Sequence, residues 1–165
     1  MDIYFLRHGI AMQHGIETFP NDDRPLTEDG IQKMKKGAKG IAKIAGEVGI
    51  ILSSPLIRAF DTAQIAAKLL DYTGTIERCE ELLPGADFKD FVKLLARHDI
   101  HDALMVVGHE PNMSKVITAL LGAGRTSIDF KKGALCCVRV DGTVGAGKGV
   151  LQHFLTSKQL RMIRG

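Results

Sequence analysis

Short apolar runs alternate along this chain with segments in which apolar residues recur every three or four positions. The runs predict four β-strands, each bounded by polar or turn-forming residues, at 2–6, 49–52, 75–78 and 103–107. The recurring positions are typical of helices that bury one face. Strands that alternate with helices predict a mainly parallel sheet with right-handed crossovers.

The predicted helices have recognisable starts and faces. Thr27 is an N-cap residue for the first, and Pro55 suits the first turn of the second, which places Arg58 in that turn. The first helix has one apolar face, formed by Ile31, Met34, Ala38, Ile41, Ala45 and Val48. Its other face carries lysines that we interpret as solvated: Lys33, Lys35, Lys36, Lys39 and Lys43. Two further helices carry the apolar sets Phe88, Phe91, Val92 and Leu95, and Met113, Val116, Ile117 and Leu120.

Two apolar runs near the end, 135–140 and 150–155, predict strands joined by a glycine-rich turn. From Gly142 to Lys148 this turn has the spacing of a nucleotide-binding P-loop. A P-loop needs Ser or Thr next and then a helix, whereas Gly149 and an apolar run follow, so we predict a hairpin turn. The predicted fold class is α/β, with three α/β/α layers, a mainly parallel central sheet and a C-terminal antiparallel hairpin.

The composition fits one globular domain over residues 1–165. Hydrophobic residues make up 45% and charged residues 25%, and a net charge of +3 is too mild to indicate a nucleic-acid-binding protein. The cysteines lack the spacing of a zinc site or a disulfide framework, so we predict reduced thiols at Cys79, Cys136 and Cys137. No basic leader and no membrane-length apolar run is present, so we expect a cytoplasmic protein with no membrane partner.

Side chains suited to anion chemistry follow three of the predicted strands. Arg7 and His8, followed by Gly9, close the first strand; Arg58 comes shortly after the second, and His109 directly after the fourth. Ligands bind at the carboxyl ends of parallel strands, so we expect these groups to converge. Helix starts after two of the strands add free backbone N–H groups and a dipole that favours an anion. The sequence therefore predicts a site for a phosphoryl group.

Four blocks, in order along the chain, resemble the histidine phosphatase superfamily, also called the phosphoglycerate-mutase-like fold, and within it the SixA-type phosphohistidine phosphatases. The blocks are 6–9 (Leu-Arg-His-Gly), 24–27 (Arg-Pro-Leu-Thr) with Gly30, 53–55 (Ser-Ser-Pro) with Arg58, Ala59, Thr62 and Ala63, and 107–111 (Val-Gly-His-Glu-Pro). The first block alone is weak evidence. The four blocks together, in the family's order, are specific to this family.

The resemblance implies a metal-independent phosphatase that works in two steps through a phosphorylated His8. It assigns the nucleophile to His8, contacts with the phosphoryl oxygens to Arg7, Arg58 and His109, and the lining of the phosphate pocket to Gly9 and Ser53. No cofactor is implied, because guanidinium and imidazolium groups supply the positive charge that a metal ion supplies elsewhere.

The leaving group separates the possible activities. Imidazole leaves phosphohistidine with a pKa of roughly 6.5 and can dispense with a general acid, whereas an alkoxide, close to water at ~15.7, needs one. In relatives that acid is a carboxylate after the third strand, which here means Glu81, or else Glu80 or Asp87. We predict a phosphohistidine phosphatase that acts on a phosphotransfer protein. The alternative is a small-molecule phosphomonoesterase that uses Glu81 as acid, and the third hypothesis is a phosphate-binding module without catalysis.

The remaining polar features are expected to surround the site or to lie apart from it. The segment 9–25 has no helical or strand period, and a loop of that length is expected to form a wall of the pocket. Four histidines match none of the blocks, and we interpret them as surface or hairpin residues: His14, His98, His101 and His153.

Overall fold

The computed structural model describes residues 1–13, 19, 21–124 and 126–163. Within them the strands are β1 (Asp2–Arg7), β2 (Ile50–Ser53), β3 (Ile76–Arg78), β4 (Ala103–Gly108), β5 (Leu135–Val140) and β6 (Gly149–Leu155). They form one sheet in the order β3-β2-β4-β1-β5-β6. The pairs among β1 to β4 are parallel, whereas β5 pairs antiparallel with both β1 and β6. The predicted parallel sheet with a C-terminal antiparallel hairpin is confirmed.

Helices cover both faces of this sheet. They are α1 (Glu28–Ile44), α2 (Ile57–Leu69), α3 (Phe88–Ala96), α4 (Asn112–Leu121) and α5 (Ser157–Met162). Because side chains alternate along a strand, Ile3 and Phe5 of β1 pack in the core layer beneath α3 and α4, and Tyr4 and Leu6 pack in the layer beneath α1, α2 and α5. The three-layer α/β/α prediction is confirmed. None of these helices within the described ranges is long and apolar enough to cross a membrane.

Helix α1 begins where its capping residue predicts and ends earlier than its apolar pattern predicts. The Thr27 side chain accepts a hydrogen bond from the Gly30 N–H at 2.9 Å, which confirms the predicted N-cap. At the other end, Ala45 has an extended backbone and caps the helix, so Val48 lies outside it although its side chain is buried. The apolar residues after Ile44 therefore pack as a connection and do not extend the helix.

Pro55 lies just before α2 and not, as predicted, in its first turn. Leu56, with φ −63° and ψ 135°, is extended and is the N-cap, so the helix begins at Ile57 and Pro55 precedes it. The Ile57 N–H, which has no partner inside the helix, donates to Asp23 Oδ1 at 3.0 Å. Arg58 nevertheless lies in the first turn of α2, as predicted.

The C-terminal region contains a helix that the sequence analysis did not predict. Thr156 and Gln159 form a capping box at the start of α5, a signal that the sequence does contain. The glycine-rich segment before it connects β5 to β6 as a hairpin, and Gly149 is the first residue of β6, so the P-loop is excluded as predicted. The cysteines are free and buried.

Three histidines outside the four blocks pack against strands or against one another. His98, His101 and His153 are all partly buried. The rings of His98 and His101 are 6.4 Å apart, and the ring of His153 packs 6.2 Å from that of Tyr4. His153 lies on β6 of the C-terminal hairpin, as predicted, and His98 and His101 keep part of their surface exposed. His14 lies outside the described residues.

Gly40→Ala is expected to destabilise the protein, whereas Gly37→Ala, in the same helix, is expected to stabilise it slightly. A Cβ at Gly40 would overlap the backbone oxygen of Leu160, where α5 crosses α1, whereas a Cβ at Gly37 would lie 4.0 Å from the Leu160 Cβ. We expect Gly40→Ala to lose about 1–3 kcal/mol and Gly37→Ala to gain up to about 1 kcal/mol. Urea unfolding measures both, and equal free energies of unfolding would contradict this packing.

Candidate active site

The ends of three parallel strands bring the two histidines together. Arg7, the last residue of β1, is paired with Gly108, the last residue of β4, and the His8 N–H donates to the Gly108 oxygen at 3.1 Å. His8 and His109 therefore leave adjacent strands side by side, with ring centroids 5.1 Å apart. Beyond the end of β2, the Ser54 N–H donates to Val107 of β4, at 2.9 Å.

His8 is held in one tautomer by the backbone. Its Nδ1 lies 2.7 Å from the carbonyl oxygen of Gly9, which can only accept, so Nδ1 carries the proton and Nε2 keeps a free lone pair. The loop is fixed in turn, because the Gly9 N–H donates to Thr62 Oγ1 at 3.0 Å and the Thr62 hydroxyl donates to the Arg58 carbonyl at 2.7 Å. The His8 side chain is thus a buried, oriented base or nucleophile.

Both histidine rings are neutral at physiological pH. Burial, with smaller contributions from Arg58, Arg7 and Lys132, lowers the pKa of His8 to about 3. Burial, followed by the proximity of His8 and of Arg58, lowers the pKa of His109 to about 3 as well. The resemblance implies an imidazolium group among the charges that bind the phosphoryl group. In the unliganded site the His109 ring is uncharged.

Two guanidinium groups flank the rings, that of Arg58 buried and that of Arg7 partly buried. Arg7 Nη1 donates to the Phe130 carbonyl at 2.6 Å, and Arg58 donates through Nη1 to the Asp22 carbonyl at 2.6 Å and through Nη2 to Asp22 Oδ2 at 2.9 Å. In the described part of the chain, the Nε atoms of both arginines are buried without a hydrogen-bond partner. Burial lowers the pKa of both groups. Unpartnered buried donors beside a neutral imidazole suit an anionic ligand.

Two charged residues at the site were not predicted from the sequence. The carboxylate of Asp22 bridges Arg58 and Arg24, with a distance of 2.6 Å to Arg24 Nε. Burial alone would raise the pKa of Asp22, but the hydrogen bonds and charges of the two arginines outweigh it and lower that pKa. Lys132 lies near enough to lower the pKa of His8, and burial, followed by Arg7, lowers the pKa of Lys132 itself.

No periodicity or block marks these two residues, and only the folded chain brings them to the pocket. Asp22 belongs to the polar segment predicted as a wall of the site, and its contact with Arg58 agrees with that expectation. Lys132 precedes Gly133, whose N–H donates to the carbonyls of Arg7 and His8 at 3.1 Å each. The turn before β5 is therefore hydrogen-bonded to the end of β1.

Gly9 and Ser53, the residues expected to line the pocket, are both buried and both tied to the scaffold. A Cβ at Gly9 would lie 2.7 Å from Met34 Cγ, so the absence of a side chain lets the loop pack against α1. Ser53 is 0% exposed, and its hydroxyl donates to the Ser54 carbonyl at 3.0 Å. Their contact with a phosphoryl group stays a prediction.

Of the carboxylates considered as general acids, two are ionised and accept hydrogen bonds, and the third is exposed to solvent. Glu81 accepts from Arg97 Nη2 at 2.7 Å, and a hydrogen bond from its own backbone N–H, together with Arg97, lowers its pKa. Asp87 caps α3, and the hydrogen bond from the Asp90 N–H lowers its pKa. Glu80 is exposed.

Glu81 nevertheless lies in the neighbourhood of the site. Glu81, Asp87 and His109 line one cavity of about 20 Å³, which is room for about one water molecule. Its role as an acid stays a prediction. Among the described residues, no group of three or more His, Cys, Asp or Glu side chains is arranged to hold a metal ion.

Acidification from pH 7 to pH 5 is expected to destabilise the protein through His8 and His109. Each ring has a pKa near its ordinary 6.5 in the unfolded chain but near 3 in the folded protein. Below pH 6.5 the unfolded chain therefore binds more protons, and the free energy of unfolding decreases as the pH is lowered. Each ring contributes a slope approaching about 1.4 kcal/mol per pH unit. Urea unfolding at several pH values checks this, and a double variant, His8→Gln with His109→Gln, should flatten the profile. An unchanged slope in that variant would contradict the assignment.

The described residues form a six-stranded α/β/α fold. At its strand ends, a neutral, oriented histidine lies between two arginines and beside a second histidine. This fold and this site together define the phosphoglycerate-mutase-like class of proteins. The family model for the histidine phosphatase superfamily, branch 1, matches residues 3–83. The chain belongs to the histidine phosphatase superfamily, whose members are phosphatases.

Individual relatives agree with this assignment. The chain is 32% identical over 144 residues to an uncharacterised protein of Picosynechococcus, covering 84% of this chain and 85% of that one. It is 24% identical over 167 residues to the phosphohistidine phosphatase SixA of Escherichia coli, covering 99% of both. The solved structure of the protein histidine phosphatase SixA with tungstate superposes with a TM-score of 0.84, at 24% identity, over 97% of this chain and 99% of that one.

Proposed function

We propose that this chain is a phosphohistidine phosphatase that hydrolyses the phosphoryl group from a histidine of a phosphotransfer protein, through a covalent intermediate on His8. The observation that carries the proposal is the state of His8: a buried neutral ring whose Nδ1–H is held by Gly9, with Nε2 free. The similarity to SixA over the whole chain supports the same activity.

In the first step the lone pair of His8 Nε2 attacks phosphorus in line with the leaving ring. A bond forms between Nε2 and phosphorus, the bond from phosphorus to the substrate's ring nitrogen breaks, and its electron pair stays on that nitrogen. A substrate ring that carries a proton on its other nitrogen leaves as neutral imidazole. The step therefore needs no protein acid.

In the second step His8 is the leaving group. Water attacks the phosphorus of phospho-His8, the bond to Nε2 breaks with its electron pair staying on Nε2, and inorganic phosphate leaves with the oxygen and both protons of the water. The hydrogen bond between Nδ1 and Gly9 acts here too, because a ring already protonated on Nδ1 departs as neutral imidazole. One contact thus serves both chemical steps.

The phosphoryl oxygens are bound by the groups that surround His8. The unpartnered Nε atoms of Arg7 and Arg58 offer hydrogen bonds to the equatorial oxygens, where negative charge is held through the transition state. We assign this oxyanion role to Arg7, Arg58 and His109. The two guanidinium groups supply the positive charge, so we propose that hydrolysis requires no added metal ion.

A small-molecule phosphomonoesterase is the second candidate, and one observation favours it: Glu81 lines the same small cavity as His109. An alkoxide leaving group needs a proton donor, however, and the hydrogen bond with Arg97 stabilises the deprotonated form of Glu81. An ionised carboxylate is a poor acid. The state of Glu81 therefore supports the phosphohistidine substrate.

The experiment compares initial rates of phosphate release from a phosphohistidine-bearing phosphotransfer domain and from a panel of alkyl phosphates, with chelator present. The proposal predicts that the phosphohistidine substrate is strongly favoured and that chelator does not change the rate. A preference for one alkyl phosphate would contradict it and favour the phosphomonoesterase.

Glu81→Gln separates the two candidates with a single variant. If phosphohistidine is the substrate, the rate is expected to change by less than about threefold, because no acid is required. Arg97→Gln is the matched control, since it breaks the same ion pair and leaves the carboxylate in place. A large loss with Glu81→Gln and none with Arg97→Gln would show that Glu81 donates a proton.

A further inference from the structure

Ser54 makes a direct hydrogen bond to the second histidine of the site. Its Oγ lies 2.8 Å from His109 Nε2, and both side chains are buried, Ser54 at 0% and His109 at 2% exposed. The backbone fixes the pair, because the Ser54 N–H donates to Val107 O at 2.9 Å and His109, two residues after Val107, directly follows β4. The hydroxyl therefore meets the ring at a rigid junction of two strand ends.

The direction of this hydrogen bond follows from counting donors and acceptors. Ser54 Oγ accepts from the Leu56 N–H at 3.4 Å, and within the described residues its own proton has no acceptor other than His109 Nε2. If the hydroxyl donates to Nε2, that nitrogen is unprotonated and the neutral ring carries its proton on Nδ1. The opposite direction would leave the serine proton without a partner in a buried position, which is costly.

The other ring nitrogen of His109, Nδ1, is buried and has no hydrogen-bond partner in the described part of the chain. The ring itself lies 5.1 Å from that of His8, centroid to centroid. A buried donor with no protein partner, next to the nucleophile, is suited to an oxygen of the phosphoryl group.

We propose that Ser54 is a positioning residue that fixes His109 in the tautomer with its proton on Nδ1, so that the ring donates a hydrogen bond to the phosphoryl group without being charged. The donor part of this inference rests on the proposed function, since it needs a phosphoryl group at His8. It explains how a ring surrounded by Arg7, Arg58 and His8 can bind an anion at neutral pH. A neutral donor avoids a third positive charge in a buried pocket.

The tautomer is measurable in the free protein by ¹⁵N NMR of histidine-labelled chain, with His109 assigned from the His109→Gln spectrum. We expect Nδ1 of His109 to be of the protonated type and Nε2 of the unprotonated type. Ser54→Ala should shift this ring toward a mixture of tautomers, whereas Ser53→Ala, which removes an equally buried hydroxyl that donates to a backbone carbonyl, should leave it unchanged. A proton on Nε2 in the wild-type protein, or an unchanged tautomer in Ser54→Ala, would overturn the proposal.

The donor role is tested with orthovanadate as a probe that resembles phosphate. Binding is expected to move the Nδ1 proton of His109 downfield, and kcat of Ser54→Ala should fall about 10- to 100-fold with KM little changed. Vanadate binding together with a proton on Nε2 overturns the role of Ser54 and leaves the proposed function intact. A chain that has the expected tautomer but binds no vanadate contradicts the proposed function, and the donor role with it. Should Ser54→Ala fail to fold, the wild-type spectrum alone still tests the tautomer.

Discussion

His8→Ala is expected to abolish turnover of phosphohistidine, with kcat lowered by at least about 10⁴-fold. The substitution removes the nucleophile, and the other groups of the pocket bind an anion but offer no replacement lone pair in the position of Nε2. Phosphate release from a phosphorylated phosphotransfer domain measures the effect. Vanadate that still protects the His8→Ala protein against thermal unfolding would show that the pocket itself remains.

His153→Ala is the matched control for the loss of an imidazole. His153 lies on β6, where its ring packs near Tyr4, and it takes no part in the proposed site. We expect its kcat to stay within about threefold of the wild type, as for a substitution outside the reacting groups. A His8→Ala protein that turned over at the rate of His153→Ala would end the covalent mechanism.

Arg58→Lys should lower kcat by about 10²-fold or more, although the charge is retained. Arg58 uses both terminal nitrogens on Asp22 and keeps a buried Nε without a protein partner, a planar array that an ammonium group cannot reproduce. The missing donor is the one that we assign to the phosphoryl group. Steady-state kinetics with a phosphohistidine substrate gives kcat and KM separately.

Arg139→Lys is the matched control, because it makes the same arginine-to-lysine substitution in a side chain that also donates two hydrogen bonds to an aspartate. Arg139 donates through Nε and Nη2 to the Asp2 carboxylate at 2.7 and 2.8 Å, at the start of β1 and thus at the opposite end of the strand from His8. Its kcat is expected to match the wild type. Equal losses in Arg58→Lys and Arg139→Lys would indicate a general effect on stability and would argue against a role for Arg58 in the pocket.

The convergence of the site residues could be anticipated from the chain because one rule links sequence to geometry there. Buried parallel strands appear as short apolar runs, and the residues that follow them meet at one edge of the sheet. His8 and His109 are brought together in this way, at the ends of the paired strands β1 and β4. Arg58 joins them because α2 starts shortly beyond β2, even though Pro55 lies before that helix and not in its first turn.

The remaining parts of the site depend on contacts that no local pattern encodes. Asp22 reaches Arg58 across 36 positions of the sequence, and Lys132 comes from a turn in the last third of the chain. The state of Glu81 could not be predicted either, because its partner Arg97 lies 16 residues away, at the end of α3. The hydrogen bond from Ser54 to His109 spans 55 residues. Tertiary structure alone determines which of these charges and hydroxyls meet.

Capture of phosphorylated His8 during turnover would detect the covalent intermediate itself. The enzyme is mixed with a phosphohistidine-bearing phosphotransfer domain, quenched in alkali, where phosphohistidine survives, and digested for mass spectrometry. We predict a phosphoryl group on the peptide that contains His8, formed within the first turnover and absent from the His8→Ala protein. Rapid hydrolysis with no phosphoryl group on His8 at any time in the first turnover would contradict the covalent mechanism.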